Sequence, residues 1–182
     1  MRKELKVNKS NPIPGVYIGD PCYILPGDFY DEFWGKQNNF EDGAFEKNGR
    51  PVMIVCGTAY GDGCYDGEIH ERETDSIIGH NFPVDAGCLA IVNLEFADPE
   101  KVAEMRDDPE ALGVVIEKPC TGMCLDCDNG EFRFYTVAGD EKGKSNETYF
   151  VHIETRDVYE DEEEEDEWDN YYDEEGEEES GW

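Results

Sequence analysis

Two short turns built from glycine and aspartate constrain the fold of this chain more than any other feature. They lie at residues 61–63 (Gly-Asp-Gly) and 85–87 (Asp-Ala-Gly), and a cysteine comes directly after each, followed by tyrosine in the first case and by an apolar run in the second. Glycine supplies the backbone conformations that tight turns require, and the aspartate side chain can accept hydrogen bonds from the next backbone amides. Turns this close together, separated by apolar runs, predict a chain of short strands.

An earlier turn repeats the first of these, because residues 18–23 (IGDPCY) echo residues 60–65 (YGDGCY). We expect the Cys-Tyr pair of each copy to begin a strand. Asp20, Asp62 and Asp85 each lie at a strand end, so they could converge with His70 or His80 into a carboxylate, ligand or metal site. The alternative is that each aspartate caps its own turn.

The remaining pattern predicts a mainly β domain. Two amphipathic segments, at residues 28–37 and 98–106, indicate short helices, and residues 38–50 indicate a loop. Residues 51–58 and 87–95 read as buried strands, and residues 51–58 are continuously apolar, which is typical of a strand buried on both faces. Further strands are predicted at residues 15–20, 63–70, 75–79, 112–118, 131–138 and 148–155, the last three as a meander.

We therefore expect an antiparallel β-sandwich or barrel with two short helices over residues 14–156. Residues 1–13 are predicted to be a polar, extended lead-in, and residues 157–182 a disordered acidic tail. The composition is 38% hydrophobic, which is enough for a core in a chain of 182 residues.

The cysteines allow more than one interpretation. Cys120, Cys124 and Cys127 have the spacing of radical enzymes that bind an iron–sulfur cluster, but too few residues follow for the barrel of such enzymes. A zinc knuckle is a second possibility, with a distant fourth ligand. The third is a hairpin loop that carries thiols without a metal. An odd total of seven cysteines without a secretory signal predicts reduced thiols in a cytosol.

The charge of the chain argues against several classes of function. It has 46 acidic and 15 basic residues, a formal charge of −31. The last 26 residues hold 16 of those acids and no Lys or Arg, so residues 1–156 keep 30 acids against 15 bases. Such a field repels nucleic acid and membrane surfaces and attracts basic proteins, so direct nucleic-acid binding is not expected. We also expect no membrane partner and a cytoplasmic location.

Aromatic residues interrupt the acidic tail. They are Tyr159, Trp168, Tyr171, Tyr172 and Trp182. Acidic residues attract a basic surface over distance, and aromatic residues can then anchor in its pockets. These five residues are our predicted partner-binding set, and a purely solubilising tail is the alternative.

Three segments carry a resemblance to known proteins: GVYIGDPCYIL, TAYGDGCYDG and FPVDAGCLAIV. Together they resemble a group of small uncharacterised phage and prophage proteins with GDPCY, GDG-x-Y and VDAG motifs. More loosely, the chain is similar to a bacterial domain family of unknown function with a VDAG signature. The resemblance implies a β-rich fold in a bacterial host cytosol and supplies no activity.

The tail has a resemblance of its own. It is similar to the acidic, aromatic-ended tails of single-stranded-DNA-binding proteins and to phage inhibitors that mimic DNA. We therefore expect a non-enzymatic interaction protein that engages a basic nucleic-acid-handling protein as an inhibitor or a recruiter. One alternative is a ligand- or metal-binding β-domain, with or without hydrolytic activity, that has zinc as its cofactor. Another is a single-stranded nucleic-acid binder whose tail is autoregulatory. No phosphate-binding loop or nucleophile elbow is visible, so no catalytic residue is predicted.

Overall fold

The computed structural model describes residues 1–36, 42–71, 74–108, 111–128, 131–139 and 145–154. These ranges form mainly antiparallel strands with two α-helices, which confirms the predicted fold class. The strands are β1 Arg2–Lys6, β2 Val16–Gly19, β3 Gly43–Lys47, β4 Arg50–Gly57, β5 Gly63–Glu71, β6 Ser76–Val84, β7 Cys88–Asn93, β8 Val114–Ile116, β9 Gly122–Asp128, β10 Glu131–Gly139 and β11 Ser145–Glu154. The helices are α1 Gly27–Lys36 and α2 Pro99–Asp107, and single 3₁₀ turns form at Pro21–Tyr23 and Leu94–Phe96.

The strands form two sheets that pack face to face as a sandwich. One sheet has the order β1-β9-β10-β11-β5-β6 and the other β3-β4-β7-β2-β8. Their facing sides share one core of fully buried side chains, to which the first sheet contributes Phe82, Phe132 and Phe134 and the second contributes Ile54 and Ile91. Alternate residues of each strand point into this core because side chains on a strand alternate between faces.

A second apolar cluster covers the outer face of the five-stranded sheet. Phe29 and Phe33 of α1 and Val102 of α2 pack there against strand residues such as Met53 and Ala90. Strands β4 and β7 are therefore buried on both faces, as their uninterrupted apolar sequences predict. In the part of the chain that the structure describes, no helix is long and apolar enough to cross a membrane.

Three local predictions differ from the structure. The polar lead-in contains a strand, since β1 pairs along its whole length with β9. Most of the predicted cysteine loop, including Cys124 and Cys127, is strand β9. The predicted loop over residues 38–50 contains β3, which pairs with β4. Strands β1 and β3 are edge strands of five residues, and β9 lies between β1 and β10. The order of all three comes from pairing with neighbouring strands, since their own sequences carry little apolar periodicity.

Two further predictions are wrong in topology. Strand β8 pairs with β2 in the five-stranded sheet, so it does not form a meander with β10 and β11. The Cys-Tyr pair that follows the 61–63 turn lies at the start of β5, as predicted. The pair Cys22-Tyr23, however, belongs to a 3₁₀ turn and does not begin a strand. The difference follows from Pro21, whose fixed φ and missing N–H suit the first position of a helical turn.

Candidate functional site

The side chain of Asp20 lies at the centre of the Gly/Asp turns. It is fully buried, and its Oδ1 accepts the backbone N–H of Cys22 at 2.8 Å. Its Oδ2 accepts the backbone N–H groups of Asp85 and Ala86, both at 2.6 Å. One carboxylate thus caps its own turn and holds a turn 65 residues further along the chain.

The 61–63 turn joins the same group. The backbone N–H of Thr58 donates to Gly87 O at 2.9 Å, and Thr58 Oγ1 lies 2.6 Å from Gly61 O and 3.1 Å from Gly87 O. The Tyr65 hydroxyl donates to the same Gly61 carbonyl at 2.8 Å. Gly61 and Gly87 have φ of 75° and 62°, a region that glycine adopts without steric cost. We call residues 19–23, 58–63 and 85–87 the turn cluster.

A buried tyrosine connects the turn cluster to the segment before β8. The hydroxyl of Tyr17, which is fully buried, is 2.9 Å from Asp20 O and 2.6 Å from Leu112 O. Its ring lies directly against Gly19 and Gly113. A Cβ on either glycine would come within 2.4 Å of the Tyr17 side chain. Both glycines are therefore required by close packing.

The structure brings the predicted ligand residues Asp20, Asp62 and Asp85 near one another, but their carboxylates have different roles. Asp20 is enclosed by the backbone amides, whereas Asp62 and Asp85 are exposed. Asp85 Oδ2 accepts the Tyr23 hydroxyl, and Asp62 Oδ1 would lie 3.9 Å from a Cβ on Gly87. Only two of the three carboxylates therefore face solvent.

The two histidines named with these aspartates lie on β5 and β6. His70 Nε2 is 3.1 Å from Glu68 Oε2, and His80 stacks edge-to-face on Phe82 with 4.8 Å between ring centroids. His80 Nε2 is buried without a hydrogen-bond partner, and burial lowers the pKa of this imidazole. Within the described ranges, no three His, Cys, Asp or Glu residues are grouped so that they could hold a metal ion.

One thiol lies within the turn cluster and another directly follows it. Cys22 is half-buried and Cys88 is buried. Burial raises the pKa of both thiols well above the usual range. A hydrogen bond with Asp20 and the negative charge of Asp20 add to this effect at Cys22, and the charge of Asp20 adds to it at Cys88. Since the thiolate is the reactive form of cysteine, this environment suppresses nucleophilic chemistry. The turn cluster is therefore organised to hold backbone together, with no activated nucleophile.

The three cysteines considered for zinc are not arranged as a knuckle. Cys120 is buried beside β9 and forms an isolated bridge with Ile13. Cys124 and Cys127 lie three positions apart on one strand, so they point to opposite faces. Cys127 packs against the core between the sheets, whereas the Cys124 thiol has Arg2 as a neighbour. The structure therefore does not bring these three thiols together.

Most basic side chains with a described partner bind acids of the same chain. Arg50 forms a two-pronged pair with Glu95, and Arg106 does the same with Glu117. Further pairs join Lys6 to Glu4, Lys47 to Glu32 and Arg133 to Glu131. A cleft of about 240 Å³ at the β9–β10 end is lined by Asp126, Asp128, Glu131 and Arg133. This cleft therefore carries more acidic than basic side chains.

The predicted partner-binding residues of the tail are not among the residues that the structure describes. The five tail aromatics, Tyr159, Trp168, Tyr171, Tyr172 and Trp182, lie outside the described residues. Conversely, sequence analysis missed Tyr17 and Thr58 as organisers of the turn cluster, because nothing local marks a residue whose partners are far away in the chain.

Comparison of the chain with family models, curated proteins and solved structures found no match.

Proposed function

We propose that this chain is a non-enzymatic interaction protein that binds a basic, nucleic-acid-processing protein through its acidic surface and its acidic, aromatic tail. The observation that carries the proposal is the excess of acid that remains after the basic groups have been paired internally. It acts either as an inhibitor that occupies the nucleic-acid site of its partner or as a recruiter of that partner.

The folded part supports the proposal by its charge distribution. Its described arginine and lysine side chains are largely engaged by neighbouring carboxylates, as in the Arg50–Glu95 and Arg106–Glu117 pairs. Exposed acids such as Asp62, Asp75 and Glu100 remain on the surface. An acidic field of this kind raises the rate of encounter with a basic partner and discourages association with nucleic acid.

The one basic cluster of the sequence does not alter this conclusion. It consists of Arg2, Lys3, Lys6 and Lys9. The first three lie on β1, where Glu4 stands between Arg2 and Lys6 and pairs with Lys6 at 3.1 Å. Arg2 lies over the Tyr135 ring at 5.9 Å, and Lys3 Nζ donates to Asp42 O at 3.1 Å. These cations have partners within the fold, whereas a phosphate-binding surface needs cations directed at the ligand.

The tail supports the proposal by its sequence. It carries 16 acids and no Lys or Arg in 26 residues, and five aromatics are spread along it. Acid-rich segments of this kind attract basic grooves at long range, and buried aromatic side chains supply most of the affinity at protein interfaces. The motif resemblance to phage and prophage proteins supports a bacterial cytosol as the setting.

The test is affinity capture from a bacterial host lysate with two baits, the full-length protein and a version that ends at Arg156. We expect a basic nucleic-acid-processing protein to be retained by the full-length bait and strongly reduced with the shortened one. The captured protein is then purified and its affinity measured at several salt concentrations, because an interaction dominated by charge weakens as salt rises.

Two results would contradict the proposal. Equal retention of the same partner by both baits would show that the tail does not contribute to binding. Direct, salt-sensitive binding of an oligonucleotide by the shortened protein would favour a nucleic-acid binder instead. An activity assay of the captured enzyme, with and without this protein, then separates inhibition from recruitment.

A further inference from the structure

Two cysteines from opposite sheets meet inside the sandwich. Cys56 lies near the end of β4 in the five-stranded sheet, and Cys127 lies near the end of β9 in the six-stranded sheet. Their Sγ atoms are 2.8 Å apart, although the two residues are separated by 71 positions in the chain. Neither the turn motifs nor the acidic tail accounts for this contact.

Strand geometry directs both side chains to the same place. Cys56 lies two residues after the inward-facing Ile54 on β4, and Cys127 lies two residues after the inward-facing Leu125 on β9. Residues two apart on a strand point to the same face, so both cysteines point into the core. The backbone of Cys127 is also held, since its N–H donates to Met1 O at 2.7 Å. A disulfide has an S–S length of about 2.05 Å, so a shift of less than 1 Å (about 0.75 Å) separates the two thiols from bonding distance.

We propose that Cys56 and Cys127 form a reversible disulfide that fastens the two sheets together when the protein meets a small organic disulfide. The Cys127 thiol loses its proton and attacks one sulfur of the reagent, and half of the reagent leaves as a thiolate. Cys56 then loses its proton and attacks the Cys127 sulfur, and the second half leaves. Two protein thiols are oxidised by two electrons, the reagent is reduced to two thiols, and these take up the two protons.

The order of the two attacks follows from exposure. Cys127 is half-buried, whereas Cys56 is only 3% exposed. Burial, contact with Cys127 and the nearby Asp42 carboxylate all raise the pKa of Cys56. Asp42 is itself held in place, since its Oδ1 accepts the Gly57 N–H at 2.7 Å. Cys127 is therefore the thiol that reacts with the reagent. Cys56, whose raised pKa slows attack on a reagent from solvent, resolves the mixed disulfide because its sulfur is already held beside that of Cys127.

The bond would stabilise the sandwich. A cross-link between residues 71 positions apart removes a large amount of conformational freedom from the unfolded chain. For a protein of this size, the loop-closure relation corresponds to a rise in melting temperature of about 10 °C. The contact between sheets would thereby become sensitive to the thiol–disulfide balance of the surroundings.

The experiment uses the full-length protein, reduced and then treated with cystamine under native conditions. Free thiols are blocked with an alkylating reagent, the protein is digested, and the disulfide-linked fragments are identified by mass spectrometry. We expect a linked pair that contains Cys56 and Cys127, a melting temperature about 10 °C higher, and reversal of both by dithiothreitol.

Single variants separate this bond from other thiol chemistry. C127S should form no such linked pair and show no rise in melting temperature. C56A should instead retain a stable cystamine adduct on Cys127, because the resolving thiol is missing. C64S, which changes an exposed thiol, is the matched control and should behave like the parent protein.

The proposal is overturned if Cys56 in the treated parent protein is still alkylated or is linked to a different cysteine. It is also overturned if the melting temperature of C127S rises as much as that of the parent. Because the linkage is read in the unmutated protein, a variant that folds poorly does not remove the test.

Discussion

The buried carboxylate of Asp20 accepts the backbone N–H of Asp85 at 2.6 Å, although 65 residues separate the two in the chain. This contact joins the turn at residues 19–23 to the turn at residues 85–87, and Thr58 and Gly61 then complete the unit. It also explains why the two aspartates differ: one is an internal acceptor for backbone amides, and the other presents its carboxylate to solvent.

Replacing Asp20 with Asn should lower the free energy of unfolding by about 3 kcal/mol or more. The amide keeps one oxygen, but its NH₂ group faces backbone N–H donors that then lose their acceptor, and each lost charged hydrogen bond costs about 1.5–3 kcal/mol. Urea unfolding measures the difference. Asp62→Asn changes an exposed turn aspartate and should alter stability by less than about 0.5 kcal/mol. Equal effects of the two changes would contradict the central role of Asp20.

Replacing Gly113 with Ala should destabilise the protein by about 2–4 kcal/mol, because the added methyl group overlaps a fixed aromatic ring. Its Cβ would lie 2.4 Å from Tyr17 Cε2, and the backbone φ of 138° is unfavourable for alanine. Gly79→Ala is the matched control, since no atom lies within 4 Å of the Cβ it would add. Similar urea midpoints for the two variants would show that the Tyr17 ring can move aside.

His80 should make stability depend on pH below about 6.5. Burial lowers the pKa of His80 from 6.5, and a hydrogen bond with the Ala111 backbone opposes that effect only in part. As the pH falls, His80 is therefore protonated in the unfolded chain before it is protonated in the folded protein. The free energy of unfolding decreases from about pH 6.5 down to the folded-state pKa of His80. Stability is fully retained above that window.

The measurement is the urea midpoint at about pH 7.5 and about pH 5.5 for the parent and for His80→Gln. We expect the parent to lose more stability than the variant over this interval. Because both proteins share every other titrating group, the difference between them isolates His80. Identical losses would mean that His80 takes up its proton equally well in the folded state.

In the tail, charge and aromatic residues should contribute in separable ways. Replacing the five aromatics with Ser should weaken partner binding by at least about tenfold while leaving the slope of affinity against salt unchanged, because interface aromatics act at short range. Replacing five tail Glu residues with Gln should instead flatten that slope. Titrations of a captured partner at several salt concentrations distinguish the two. If the variant without the five aromatics binds with unchanged affinity, the tail contributes to binding through its charge alone.

The strands with strong local signals were predictable. Strands β4 and β7 are runs of apolar residues buried on both faces, and α2 begins with Asp98 capping the N–H of Glu100, as the Asp-Pro pair indicates. By contrast, β1 and β9 have mixed polarity. Their order comes from pairing with each other and with β10, so the cysteine segment read alone resembled a loop.

The sequence by itself determined the β class, the positions of the turns and the acidity of the chain, because dihedral preferences, apolar runs and charge are properties of neighbouring residues. Only the tertiary structure decided that Asp20 holds the 85–87 turn, that Tyr17 packs on Gly113 and that Cys56 meets Cys127. Each of these contacts depends on which strands become neighbours within a sheet and which sheet faces the other. That choice minimises the free energy of the whole core, so no local pattern encodes it.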